Sequence, residues 1–133
     1  MASRWVVEES ERPLVVLRLD DPSDEGAPDF ASFLAGLDRI AALSRETRVR
    51  IVLDLTGAKP DADRRRRFAE WLRTQGPDIR PHVDAFAIVA PSAMLRGTIT
   101  AMRWFFPERM LHSETFDRRD RAVAWARERP SAS

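Results

Sequence analysis

Val49-Arg50-Ile51-Val52-Leu53-Asp54-Leu55 is the stretch on which the fold turns. Its centre, Ile51-Val52-Leu53, is apolar on both faces, the pattern of a strand covered on both sides within a parallel sheet. Thr56-Gly57-Ala58-Lys59-Pro60 reads as the loop leaving its C-terminal end. Upstream, Phe30, Phe33, Leu34, Leu37, Ile40 and Ala41 recur at steps of three and four, an amphipathic helix. Pro28 and Asp29 suit its first turn, and it should end within residues 44–47. Downstream, a second helix should begin at Asp61 or Asp63, acids well placed against the helix dipole. Its core stripe is Phe68, Trp71 and Leu72, and Gly76-Pro77 should stop it.

The pattern extends outward in both directions. Trp5-Val6-Val7-Glu8 and Leu14-Val15-Val16-Leu17-Arg18-Leu19 flank a polar turn and read as an antiparallel hairpin. Residues 20–28 are an acidic, Pro- and Gly-containing loop. Residues 82–90 read as a second buried strand, which Pro91 ends. Ser92 suits the cap of a third helix over residues 93–106. A last strand over residues 110–116 has a mixed pattern that places it toward an edge. Asp117 suits the cap of a final helix from Arg118 to about Arg129, packing through Ala122, Val123, Trp125 and Ala126. Residues 130–133 read as a frayed tail. The order β-β-α-β-α-β-α-β-α predicts a single α/β domain over residues 1–133. Its sheet is mixed but mostly parallel, of about five strands with flanking helices and an antiparallel edge from the first hairpin.

Composition bounds the chemistry. The chain has 133 residues, 44% hydrophobic and 32% charged, as expected of one ordinary globular domain. Cysteine is absent, which removes disulfides, thiol nucleophiles and cysteine metal sites. His82 and His112 are the only histidines, too few for an ordinary zinc site. Neither a metal nor a cofactor is expected. With 22 basic against 21 acidic residues, general attraction to nucleic acid or an anionic membrane is unsupported. Lys59 is the only lysine, and the excess of arginine is read as the mark of a GC-rich genome. No apolar run reaches the roughly 18 residues of a membrane span, so no integral membrane segment is expected. Met1-Ala2-Ser3-Arg4-Trp5 turns acidic within ten residues, unlike a signal peptide; the expected address is cytoplasmic.

The element order, with Val52-Leu53-Asp54-Leu55-Thr56-Gly57 leaving the central strand, resembles the STAS fold of bacterial anti-sigma-factor antagonists. The C-terminal half resembles the broader SpoIIAA-like group. That likeness lies in Ala87-Ile88-Val89, in the helix Arg96-Gly97-Thr98-Ile99-Thr100-Ala101-Met102-Arg103-Trp104, and in Phe116 followed by Ala122-Val123-Ala124-Trp125. The likeness runs from about Trp5 to Trp125, through core signatures. Antagonists of this kind carry an Asp-Ser-Ser-Gly-like element opening the helix after the central strand, with one Ser phosphorylated. Here the aligned segment is Asp61-Ala62-Asp63-Arg64, so the resemblance implies a relative without the kinase-regulated switch. Asp63, at the acceptor place, is read as a helix-start residue; the alternative is a fixed partial mimic of phosphoserine.

Arg64-Arg65-Arg66-Arg67 resembles a phosphate patch, but four consecutive helical residues sweep about 300°. Arg64 falls on the Phe68/Trp71 side, whereas Arg66 and Arg67 should face solvent, Arg66 within reach of Glu70. Ligands of open α/β sheets sit beyond the carboxyl ends of the strands. At those ends Thr56, Lys59, Ser92 and Arg96 are candidate ligand-binding residues for a small anion. No GxGxxG or GxxxxGK[ST] motif accompanies them. A hydrolytic set of Ser92, His82 or His112, and Asp54 lacks any Gly-x-Ser-x-Gly context, so no catalytic residue is assigned and the chain is read as non-enzymatic.

The third helix is apolar around most of its circumference, with Arg96, Thr100 and Arg103 forming one narrow polar stripe. Such a helix is buried on more than one side. Met94, Arg96, Arg103, Trp104 and Phe105 are therefore candidate interface residues. The expected function is a regulatory domain that docks through this helix, onto itself as a homo-oligomer or onto a signalling protein. The alternative, implied by the likeness of the SpoIIAA-like group to CRAL-TRIO lipid carriers, is a small lipophilic or anionic ligand held between this helix and the sheet.

Overall fold

The computed structural model describes residues 3–24, 26, 28–59, 61–105 and 113–130, and for residues 101–105 the backbone alone. Elements run β1 (Trp5–Glu8), β2 (Leu14–Leu19), α1 (Phe30–Glu46), β3 (Val49–Asp54), α2 (Ala62–Ile79), a 3₁₀ turn (Arg80–His82), β4 (Val83–Val89), α3 (Ala93–Phe105), β5 (Glu114–Phe116) and α4 (Arg119–Glu128). The chain is an α/β fold around one mixed, mostly parallel sheet of order β1-β2-β3-β4-β5. β1 is the antiparallel edge, with Trp5 opposite Leu19 and Glu8 opposite Val16. The other pairs are parallel.

Because spatial order follows chain order, successive right-handed crossovers advance in one direction and leave their helices on one face. On that face Val15, Leu17, Ile51, Leu53, Phe86 and Ile88 meet the apolar sides of α1, α2 and α3 through Phe33, Leu37, Ile40, Ile79 and Ile99. The alternate strand residues Leu14, Val16, Val52, Ala85, Ala87 and Val89 turn to the other face, which α4 covers with Ala122 and Ala126. The period of two along each strand makes this division. Alanine on alanine lets α4 sit close to β4.

Helix ends follow local chemistry. The Asp29 carboxylate accepts from the Ala31 amide, and the Asp61 carboxylate from Asp63 and Arg64, satisfying donors that have no partner inside a helix. Four expectations are corrected. First, α2 runs through Pro77 to Ile79 and does not stop before Gly76. Gly76 has no Cβ to clash with the proline ring, and Ile79 gains full burial at 1% exposure. Second, His82 belongs to the 3₁₀ turn, and β4 begins at Val83. Third, Arg118 stands at the cap position of α4 without a side-chain capping bond, its guanidinium instead pairing with Asp120, while Asp117 pairs with Arg121. Fourth, Arg66 pairs with Asp63 at 2.6 Å and not with Glu70. Val49 faces Val83 and Arg50 faces Ala85, so Asp84 is an extra residue in β4. This bulge coincides with its ion pair to Arg48, at 2.6 Å. Residues 106–112, with His112 and the first three residues of the segment expected as the last strand, lie outside the described residues, as does the end of the tail, residues 131–133.

Candidate functional site

Parallel strands bring the starts of α1, α2 and α3 to one end of the sheet, and β1 returns Trp5 to the same end. The Trp5 amide donates to Ser32 Oγ at 2.9 Å, and Ser32 Oγ donates to the Asp29 carbonyl at 2.6 Å, tying β1 to the first turn of α1. Aromatic rings then meet in series. Trp5 stands edge-on to Phe33 with centroids 4.8 Å apart, Phe30 stacks on Phe33 at 5.4 Å, and Phe33 stands edge-on to Phe68 at 5.3 Å. These separations are those of attractive ring pairs.

The rings wall a cavity of about 100 Å³, closed on its other sides by Leu55, Ala58, Leu95, Thr98 and Ile99. Lys59, Asp61, Arg64 and Arg65 also border it, while the lining itself is almost wholly apolar. Asp61, Arg64, Arg65 and Phe68 are spaced as one helical face, which is why all four line it. The Arg64 and Arg67 guanidinium carbons lie 5.8 Å and 5.0 Å from the Phe30 ring centre, within cation–π range. The pocket thus has an aromatic interior, with the Arg64 guanidinium beside one of its rings and Arg65 on its border.

The four ligand candidates all sit at this end of the sheet, with different neighbours. Lys59 lines the cavity, its Nζ donating to the Gly26 carbonyl at 3.3 Å. The Thr56 hydroxyl donates to Asp54 Oδ1 at 2.6 Å. Ser92 Oγ accepts from the Leu95 amide at 3.1 Å at the start of α3. Arg96 Nη1 donates to the carbonyls of Ala90, at 3.0 Å, and Pro91, at 3.1 Å. Those three hold the strand-to-helix turns together and are not among the cavity's lining residues. Of the interface candidates, Met94 is 71% exposed and Arg96 is half-buried. The side chains of Arg103, Trp104 and Phe105 lie outside the described residues. In the described part of α3, Leu95 and Ile99 face inward and Met94 outward.

The hydrolytic set does not assemble among the described residues. His82 lies before the first residue of β4, and Asp54 and Ser92 lie at the far ends of β3 and β4. A seven-residue strand such as β4 is roughly 20 Å long. Asp54 is instead engaged by Thr56 and by Arg119, whose Nε donates to Oδ2 at 2.8 Å. No group of three or more candidate metal ligands occurs among the described residues. No described helix is long and apolar enough to cross a membrane.

The candidate ligand residues Thr56, Lys59, Ser92 and Arg96 and this cavity share one end of the sheet, but the sequence pattern did not single out Trp5, Phe30, Phe33, Phe68 and Arg65 as lining it. The rings read as ordinary core. The available signal was the spacing 61, 64, 65, 68, which aligns charge with an aromatic ring on one face of α2. No family model, no curated protein and no solved structure matches the chain.

Proposed function

We propose that this is a non-enzymatic binding domain whose ligand is a small molecule with a ring-sized apolar group, inserted among Trp5, Phe30, Phe33 and Phe68. The observation that carries this reading is the roughly 100 Å³ aromatic cavity at the carboxyl end of the parallel strands. Burial of one ring there contributes about 2–3 kcal/mol, enough for weak binding by a bare aromatic and a basis for tighter binding by a larger ligand. A relationship to the STAS-type, SpoIIAA-like domains belongs to the same proposal; the element order and the described sheet support it.

The test is titration of the purified chain with indole, followed by ligand-observed NMR and calorimetry. Saturable binding to the native chain, lost on Thr98→Phe, which fills the cavity from its α3 side, is the expected result. Absence of binding, or binding unaltered by Thr98→Phe in a folded variant, overturns the reading.

A second reading, docking of another copy of the chain through α3, is favoured by the exposure of Met94. Native mass spectrometry decides it. A dimer that Met94→Glu converts to monomer supports this docking, and a monomeric parent chain counts against it.

A further inference from the structure

We infer that the ligand of this cavity carries an anionic group one or two bonds from its ring, held at the mouth by Arg64 and Arg65; the inference rests on the pocket reading above. The charge inventory of α2 is the starting point. Of the four consecutive arginines, Arg66 is neutralised by Asp63. Among the described residues no carboxylate lies within ion-pair distance of Arg64 or Arg65. Asp61 is the only carboxylate among the described lining residues, and its Oδ1 accepts from the amides of Asp63, at 2.9 Å, and Arg64, at 3.1 Å. Arg64 and Arg65 therefore border the cavity with no acid paired to either among the described residues, and the one bordering acid is already engaged in capping.

That arrangement opposes the positive end of the α2 dipole and is unfavourable by itself. An anion at the mouth reverses the sign of the interaction. Arg64 is half-buried and its guanidinium lies against Phe30, which holds the charge beside the apolar interior. A planar guanidinium suits a carboxylate, phosphate or sulfate through paired N–H donors. The cavity is only large enough for a ring or a short branched chain, so an anion separated by a long linker would overshoot the rim. The class is an aryl or short acyl compound bearing one oxyanion.

Matched probes separate the parts of this claim. Indole, indole-3-acetate and tryptamine share a ring and differ in charge. By calorimetry at low salt, indole-3-acetate should bind about 10- to 100-fold more tightly than indole, and tryptamine more weakly. Added salt should erode the advantage of the acetate and leave indole unchanged. Arg64→Gln/Arg65→Gln should abolish the difference while retaining indole binding and the far-ultraviolet dichroism. Equal affinities for the three probes, or an acetate advantage that survives the double substitution, overturns the anion inference and leaves the pocket standing. Failure of all three probes to bind a folded chain overturns the pocket reading and this inference with it.

Discussion

Arg50 and Asp54 stand four residues apart on one face of β3, one beneath each end of α4. Arg50 Nη1 donates to the carbonyls of Ala126 at 2.7 Å and Arg129 at 2.5 Å. Asp54 accepts from Arg119, the first residue of the helix, at 2.8 Å. Four strand residues span roughly 13 Å and ten helical residues roughly 15 Å, so the two lengths match. The cation meets the carbonyl end of the helix and the carboxylate the amide end, as the dipole favours. The last helix is thus clamped antiparallel to the central strand.

Breaking the clamp at Asp54 should be costly because the carboxylate is 5% exposed. Asp54→Ala removes the acceptor of the Thr56 amide and hydroxyl together with the partner of Arg119. A loss of about 2–4 kcal/mol is expected in urea unfolding. Asp54→Asn should lose less, since an amide oxygen still accepts from Thr56. Equal losses for the two variants would refute the assigned division of roles.

Gly36→Ala opposes two effects. Alanine gains about 1 kcal/mol in helix propensity. Its Cβ, however, would lie 2.5 Å from Cδ1 of Leu17, a side chain with 0% exposure in the contact of α1 with the hairpin. Overpacking of this kind costs about 1–3 kcal/mol, so the net effect should be destabilising. Leu17→Val, which removes that methyl, should make the second substitution less costly than it is alone; strict additivity in a double-mutant cycle would argue against the contact.

Gly57→Ala should lower the melting temperature more than Ala58→Gly. Gly57 has φ of 84°, a left-handed conformation that a Cβ disfavours, and the added carbon would fall 2.6 Å from the Pro22 carbonyl oxygen. The neighbour in the way is backbone, which has little freedom to yield. A cost of about 1–3 kcal/mol follows. Thermal unfolding by circular dichroism checks the ranking.

The link between the β1–β2 turn and α1 should depend on pH. Hydrogen bonds from Arg39 and then Arg12 lower the Glu9 pKa from an ordinary 4.5 to about 2. A depressed folded value means that the contribution is present above pH 4.5 and is lost as the pH falls toward 2. Carboxyl NMR should show the low midpoint, and Arg39→Gln should move it upward, Arg12 retaining part of the shift. A midpoint unmoved by that substitution would show that Arg39 is not the dominant partner.

Periodicity made the framework legible because strand and helix repeats are local. Ile51-Val52-Leu53 announced a strand covered twice, and the stripe from Phe30 to Ala41 announced α1. Local rules misled at Pro77, where burial of Ile79 outweighed the helix-breaking signal, and at Asp117, whose carboxylate turned to Arg121. The exposed Arg66 and half-buried Arg64 followed the predicted helical wheel.

The cavity was not legible in the same way. Trp5, Phe33 and Phe68 come from three different elements, and each has the composition of a core residue. The chain alone determined that apolar faces must be buried against a parallel sheet, and therefore which end of that sheet gathers the helix starts. Only tertiary structure decided that the rings meet there without filling the space, because a void depends on the distance between elements far apart in sequence. It likewise decided which arginines find an acid and which are left at the rim, since pairing is settled by where each side chain ends and not by the identity of its neighbours in the chain.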